Sequence, residues 1–143
     1  QTPRSVVHRI RLQLRGDAPF LLKGRVRIIN AWRPLRHTVQ EWPLALCESS
    51  LMSQQDLVEC DHARRRFKGC AFYAYYNPDH KWHYLSRQKP EEVMFLKIFD
   101  SDPLVRATNC PHTSFQHLDS PKDCPPRESI EVRALIFNYP TDK

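Results

Sequence analysis

Prolines divide this chain into short runs, and that division constrains the fold more than any other feature. There are 12 prolines but only 3 glycines in 143 residues, so many turns have a fixed backbone angle. Between the turns lie short apolar or alternating runs, which are typical of β-strands. Many short strands with little helix predict an all-β fold, mainly β with minor helix, of the jelly-roll kind.

The individual runs can be assigned from their periodicity. We predict strands at residues 5–14, 24–32, 41–47, 70–76, 81–85 and 128–139. Residues 93–99 are apolar and suit either a strand or a short helix. Residues 49–68 are polar and are predicted to be irregular, with one helical turn near residues 54–58.

The formal charge of +6 raises the question of a nucleic-acid partner. A phosphate-binding surface gathers basic residues onto one face. Arg9 and Arg11 instead alternate with Ile10 and Leu12, which predicts the solvated face of a strand. We therefore expect no nucleic-acid partner, and a basic RNA-binding domain is the alternative that salt-sensitive binding would reveal. The longest apolar runs are too short for a membrane span, so we also expect no membrane partner.

The five cysteines are odd in number and widely scattered. They form no Cys-x-x-Cys pair and no zinc-like spacing. This usage predicts reduced thiols in a cytoplasmic protein.

One histidine and one Arg-x-Ser triplet are the main candidates for a site. His112 lies fifteen positions before Arg127, and Ser129 would share a strand face with that arginine. An imidazole suits a divalent metal. A guanidinium suits a carboxylate, because its planar donors match two oxygens. The alternative is a loop histidine followed by an ordinary barrel strand.

Two further pairs of possible metal ligands are present. His80 and His83 are three positions apart, so on a strand their side chains point to opposite faces and cannot share an ion. Asp100 and Asp102 lie in a turn, where aspartate commonly accepts hydrogen bonds from its own backbone. We expect neither pair to form a metal site.

Polar side chains also lie at the end of the second predicted strand. Asn30 and Arg33 follow an apolar run and would suit a polar substrate at a barrel mouth. An ordinary strand end explains them equally well.

Six segments together resemble a family of fungal and bacterial oxidoreductases of secondary metabolism. They are INAWRPL at 29–35, WPLALC at 42–47, YNPDHKWHYL at 76–85, PEEV with FDS at 90–101, PHTSF at 111–115 and PRESIEVRALIF at 126–137. The family includes a cephalosporin methoxylation component, gibberellin-desaturase-like proteins and the fungal hydroxylase/desaturase type. The resemblance covers nearly the whole chain.

The resemblance implies a double-stranded β-helix (jelly-roll or cupin-like) that uses Fe(II) and 2-oxoglutarate on a small natural product. It implies that His112 is the distal iron ligand and that Arg127, assisted by Ser129, binds the far carboxylate of 2-oxoglutarate. Arg133 is the reserve candidate for that carboxylate. Asn30 and Arg33 are the implied substrate contacts. The oligomeric state is not implied.

One element of the family pattern is missing. A His-x-Asp pair is expected just before a Gln-Thr-Pro stretch, but the chain begins at Gln1-Thr2-Pro3, and its one such triplet, His117-Leu118-Asp119, lies at a different place, after His112. We therefore expect residues 1–143 to be the C-terminal part of a single jelly-roll domain, incomplete at its N-terminus and inactive alone. The alternative is a metal-independent barrel that binds a small molecule or directs a cyclisation or dehydration.

Overall fold

The computed structural model describes residues 2–64 and 67–140. It contains one long helix, α1 (Pro3–Leu14), a short helix, α2 (Ala18–Leu21), and 3-10 turns at Arg15–Asp17, Ser49–Leu51 and Gln54–Asp56. The strands are β1 (Val26–Pro34), β2 (Leu44–Cys47), β3 (Leu57–Arg64), β4 (Phe67–Ala74), β5 (Trp82–Tyr84), β6 (Met94–Asp100), β7 (His112–Ser114) and β8 (Ser129–Phe137).

Helix α1 occupies the segment that we predicted as the first strand, so that prediction is wrong. Thr2 caps the helix by accepting a hydrogen bond from the Ser5 backbone at 3.3 Å, and Pro3 stands at the first helical position. Val6 and Ile10, four residues apart, are buried on one helix face. The basic residues at positions 9 and 11 therefore belong to a helix and not to the solvated face of a strand.

The larger sheet has the strand order β6-β1-β8, and both pairings are antiparallel. Asn30 at the centre of β1 pairs with Leu96 on one side and Arg133 on the other. Directly paired residues share a face of the sheet, so these three side chains point the same way. The segment at 93–99, which suited strand or helix, is strand β6.

The inner face of this sheet forms the core with α1. Ile28 and Asn30 are fully buried, as is Leu96. The outer face also carries apolar side chains, but they are exposed. Phe95 is 72% exposed and Val132 is 58% exposed, and both pair with Ala31 on that face.

A second sheet, ordered β5-β2-β7, holds the strand of His112 against β2, where Leu46 pairs with His112. Strands β3 and β4 form a separate two-stranded hairpin. The segment at 49–68 is thus only partly irregular, because β3 begins at Leu57. Within the described residues, no helix is long and apolar enough to cross a membrane.

Candidate functional site

His112 opens strand β7, and a main-chain carbonyl orients its ring. Its Nδ1 lies 2.9 Å from the main-chain carbonyl oxygen of Cys110. A carbonyl only accepts hydrogen bonds, so Nδ1 is the donor, and Nε2 is the nitrogen that keeps a lone pair in the neutral ring. This is the arrangement in which an imidazole binds a metal ion through Nε2 while a backbone carbonyl fixes the ring.

Arg127 lies beside the same strand. Its Nη1 donates to the Ser114 hydroxyl at 2.9 Å and to the Trp42 carbonyl. Ser114 is two residues from His112, and alternate residues of a strand share a face. The structure therefore brings the Arg127 guanidinium to the side of β7 on which His112 lies.

The environment of Arg127 leaves its charge poorly compensated. Both acceptors of Nη1 are uncharged, and the guanidinium carbon lies 5.5 Å from the ring centroid of Trp32. Burial lowers the pKa of Arg127, while the charge of Glu41 opposes that effect. Because arginine stays ionised in proteins, such a partly buried cation favours an anionic partner.

Trp42 has an unusual backbone at this point. Its φ of 46° lies in the left-handed region, which a bulky aromatic residue rarely adopts. The strained residue is the one whose carbonyl accepts from Arg127. Strain of this kind is concentrated at binding and catalytic sites.

Arg133 and His112 line one cavity of about 590 Å³. The Arg133 Nε donates to Asn30 Oδ1 at 2.9 Å, and Nη2 lies 3.6 Å from a Glu131 oxygen. Burial lowers the pKa of Arg133, as does the charge of Arg9. The reserve arginine is therefore in the cavity itself, and Asn30 lies directly behind it.

The walls of this cavity are largely apolar. The hairpin contributes Leu57 and Phe72, and β5 and β6 contribute Trp82 and Ile98. A second cavity of about 690 Å³ shares Leu57, Phe72 and Asn109 with the first. The space around His112 is thus suited to a small molecule with an apolar body.

The two remaining predicted site residues, Ser129 and Arg33, lie on different faces of the larger sheet. Ser129 pairs with Pro34 at the start of β8, on the sheet face that carries Arg133. Arg33 lies on the opposite face of β1 from Asn30, because the two are three positions apart. It is exposed and donates to the Pro90 carbonyl at 2.9 Å. The structure does not bring Arg33 to the cavity.

The other possible ligand pairs are occupied by structural contacts. Asp100 accepts two hydrogen bonds from Arg25, and it also accepts one from the Asp102 backbone. His80 Nε2 lies 3.3 Å from Asp56, whose pKa is lowered to about 2 by hydrogen bonds, first from the Asn77 side chain. In the described parts of the chain, no three His, Cys, Asp or Glu side chains form a group able to hold a metal.

The chain was compared with families of known proteins. A family profile described as "Oxidoreductase/YMDC permease-like domain" matches residues 1–137. The chain belongs to this family.

Three similar curated proteins come from fungi. Aspirochlorine biosynthesis protein N of Aspergillus oryzae is 39% identical over 139 residues, which are 96% of this chain and 58% of the relative. The Fe(II)/2-oxoglutarate-dependent dioxygenase nvfI of Aspergillus novofumigatus is 37% identical over 95% of this chain and 49% of its own length. The hydroxylase/desaturase efuI of Hormonema carpetanum is 35% identical. The chain thus spans about half the length of the curated relatives it matches.

A solved structure is also similar to this chain in sequence and in fold. The iron and alpha-ketoglutarate-dependent endoperoxidase NvfI superposes with a TM-score of 0.90 and 36% identity, over 97% of this chain and 52% of that one. The predicted jelly-roll class is therefore confirmed, as is the resemblance to fungal hydroxylase/desaturase proteins. Among these relatives, the nvfI protein and its solved structure are named as iron- and 2-oxoglutarate-dependent.

Sequence reasoning missed three contacts of the site. Ser114, the Trp42 carbonyl and the Cys110 carbonyl were not singled out. Only Ser114 gave a signal, because its hydroxyl stands two positions after His112 in a strand-like run. The two carbonyls are main-chain groups, which any residue type can provide.

Proposed function

We propose that this chain carries the carboxylate-binding side of an Fe(II)/2-oxoglutarate-dependent hydroxylase or desaturase. In this proposal Arg127 binds the far carboxylate of 2-oxoglutarate and Ser129 assists it. His112 is one ligand of the iron. The observation that carries the proposal is the contact of Arg127 with Ser114, which brings a cation with uncharged partners next to the strand of His112.

His112 fits the role of one metal ligand, because its Nδ1 donates to the Cys110 carbonyl and Nε2 of the neutral ring can bind a metal ion. A single imidazole is too few donors for a useful Fe(II) site, which in these chemistries takes three protein ligands. The described residues contain no group of three such ligands. By themselves they do not fit the iron, and no catalytic step is assigned to them.

In this proposal the chain's own residues bind and orient 2-oxoglutarate and the substrate. Arg127 supplies a charge-assisted contact that is stronger than a neutral hydrogen bond. The apolar walls of the His112 cavity exclude water from a bound small molecule. We propose a small natural product as the substrate. Because all five cysteines are free thiols, we propose the cytoplasm as the compartment.

Calorimetric titration of the chain with 2-oxoglutarate tests the proposal. Arg127→Met should weaken binding by at least about tenfold, because a charge-assisted contact contributes about 1.5–3 kcal/mol. Arg127→Lys should recover only part of the affinity, since lysine lacks the planar fork. Arg36→Met is the matched control, because the Arg36 side chain is 73% exposed and its ion pair with Glu128, at 3.5 Å, is at the surface.

Equal affinity in the Arg127→Met and Arg36→Met variants would contradict the proposal. The metal-independent barrel is the second candidate, and the apolar walls of the His112 cavity suit it equally well. It requires a small molecule that binds with unchanged affinity in the presence of a chelator and without 2-oxoglutarate.

A further inference from the structure

Asn30 is a polar residue at the centre of the apolar core. It is 0% exposed and its neighbours on the buried face of the sheet include Ile28 and Leu96. The side-chain oxygen accepts one hydrogen bond from Arg133, but Nδ2 has no partner in the described part of the chain. A buried amide that is only partly satisfied reduces stability relative to an apolar residue of similar size.

The bond that Asn30 does make fixes an arginine. Oδ1 accepts from the Nε of Arg133 at 2.9 Å, which sets the plane of the guanidinium. Glu131 lies near Nη2 at 3.6 Å. The other N–H groups of Arg133 remain as donors at the wall of the cavity that it shares with His112.

We propose that Arg133, positioned by Asn30, anchors a carboxylate of the small-molecule substrate in the His112 cavity. The body of that ligand is apolar, because Phe72, Trp82 and Ile98 form the walls beside the anchor. Asn30 is a positioning residue, since it is fully buried and acts through Arg133. The inference rests on the proposed function only in taking the His112 cavity as the substrate site.

Two carboxylates are chemically possible at this anchor, that of the substrate and that of 2-oxoglutarate. The arrangement favours the substrate. Within the described residues the Arg127 guanidinium donates to two uncharged acceptors, one of them on the β7 strand, so it suits the short dicarboxylate. Arg133 faces the apolar walls, so it suits an acid with a large hydrocarbon body.

The probe for this anchor is 1-naphthoate, and 1-naphthamide is its uncharged analogue. Binding of each to the 143-residue chain is measured by calorimetry. Arg133→Gln should weaken 1-naphthoate binding by at least about tenfold, because the charged contact is lost. Asn30→Leu should weaken it by about fivefold, because Arg133 loses its fixed orientation. Binding of 1-naphthamide should change by less than twofold in both variants.

Two further readouts separate positioning from a structural role. Asn30→Leu should raise the melting temperature or leave it unchanged, since it removes an unsatisfied buried amide. A purely structural asparagine would lower the melting temperature instead. Arg106→Gln is the matched control, because Arg106 is 81% exposed and bonds to Glu48 away from the anchor. It should bind 1-naphthoate like the unmodified chain.

Two results would overturn the inference: no binding of 1-naphthoate to the unmodified chain, or affinities within twofold in both anchor variants. If Arg133→Gln and Asn30→Leu weaken 2-oxoglutarate binding instead, the anchor serves the co-substrate and the assignment to substrate is wrong. If 2-oxoglutarate fails to bind at all while 1-naphthoate behaves as expected, the proposed function fails and the carboxylate anchor stands.

Discussion

The guanidinium of Arg127 lies 2.9 Å from the hydroxyl of Ser114, and this contact joins the segment just before β8 to the strand that begins with His112. Thirteen positions separate Arg127 from Ser114 in sequence. The contact therefore depends on the intervening loop, which brings the chain back to strand β7. It brings the Arg127 guanidinium to the side of β7 on which the His112 imidazole lies.

The buried carboxylate of Asp100 should make stability depend on acid pH. Arg25 is the main cause that lowers the pKa of Asp100 far below its ordinary value, and Lys97 adds to the effect. A lowered folded-state pKa means that the ionised group contributes stability above its unfolded pKa of about 4. That contribution is lost as pH falls from about 4 through the folded-state value.

Replacement of this carboxylate tests the point. Asp100→Ala should lower the free energy of unfolding by about 1–3 kcal/mol at pH 7, because Arg25 and Lys97 lose a buried charged acceptor while Arg25 keeps Asp102 at 3.4 Å. Urea unfolding between pH 2 and pH 7 should also show a flatter acid limb in the variant. Asp79→Asn, at an exposed turn position, serves as control. An acid limb unchanged by Asp100→Ala would refute the linkage.

Gly24 should not tolerate a side chain. A Cβ at Gly24 would lie 1.9 Å from the carbonyl oxygen of Asn138, whose backbone N–H also donates to Arg25 at 2.9 Å. Gly24→Ala should therefore destabilise the chain by about 1–3 kcal/mol, as overpacking does. Gly16→Ala is the matched control, because nothing lies within 4 Å of its Cβ position. Similar thermal unfolding of the two variants would contradict the expected clash.

The exposed outer face of the β6-β1-β8 sheet should bind apolar dyes. Phe95 and Val132 stand on that face and are 72% and 58% exposed. Phe95→Ser combined with Val132→Thr should reduce binding of anilinonaphthalene sulfonate and should reduce self-association. Leu118→Ser, at a 93% exposed loop residue off the sheet, should change neither. Equal dye binding in both variants would show that this face is not the apolar surface responsible.

The sequence predicted most strands because their period is local. Strands β1, β6 and β8 carry the alternation or apolar run that identifies them, and proline marks the end of β1. Helix α1 was mispredicted because its alternating arginine and aliphatic residues fit a strand over four positions. The four-residue spacing of Val6 and Ile10 and the Thr2-Pro3 start were the signals for a helix.

The candidate site was only partly predictable. The opposite orientation of Asn30 and Arg33 follows from their separation of three positions on a strand. The pairing of Asn30 with Arg133 joins residues 103 positions apart, so local periodicity carries no trace of it. The role of the Trp42 carbonyl could not be predicted either, because every residue type provides a main-chain acceptor.

The most direct test of a shared site for His112 and Arg127 is a titration of the nitrogen-15-labelled chain with 2-oxoglutarate, followed by nuclear magnetic resonance. The account predicts that side-chain signals of Arg127 and His112 and the amide of Ser114 shift together with one dissociation constant. Signals of His8 and Arg36 should stay unchanged. No binding, or shifts at Arg127 that leave His112 unaffected at saturation, would contradict a single site.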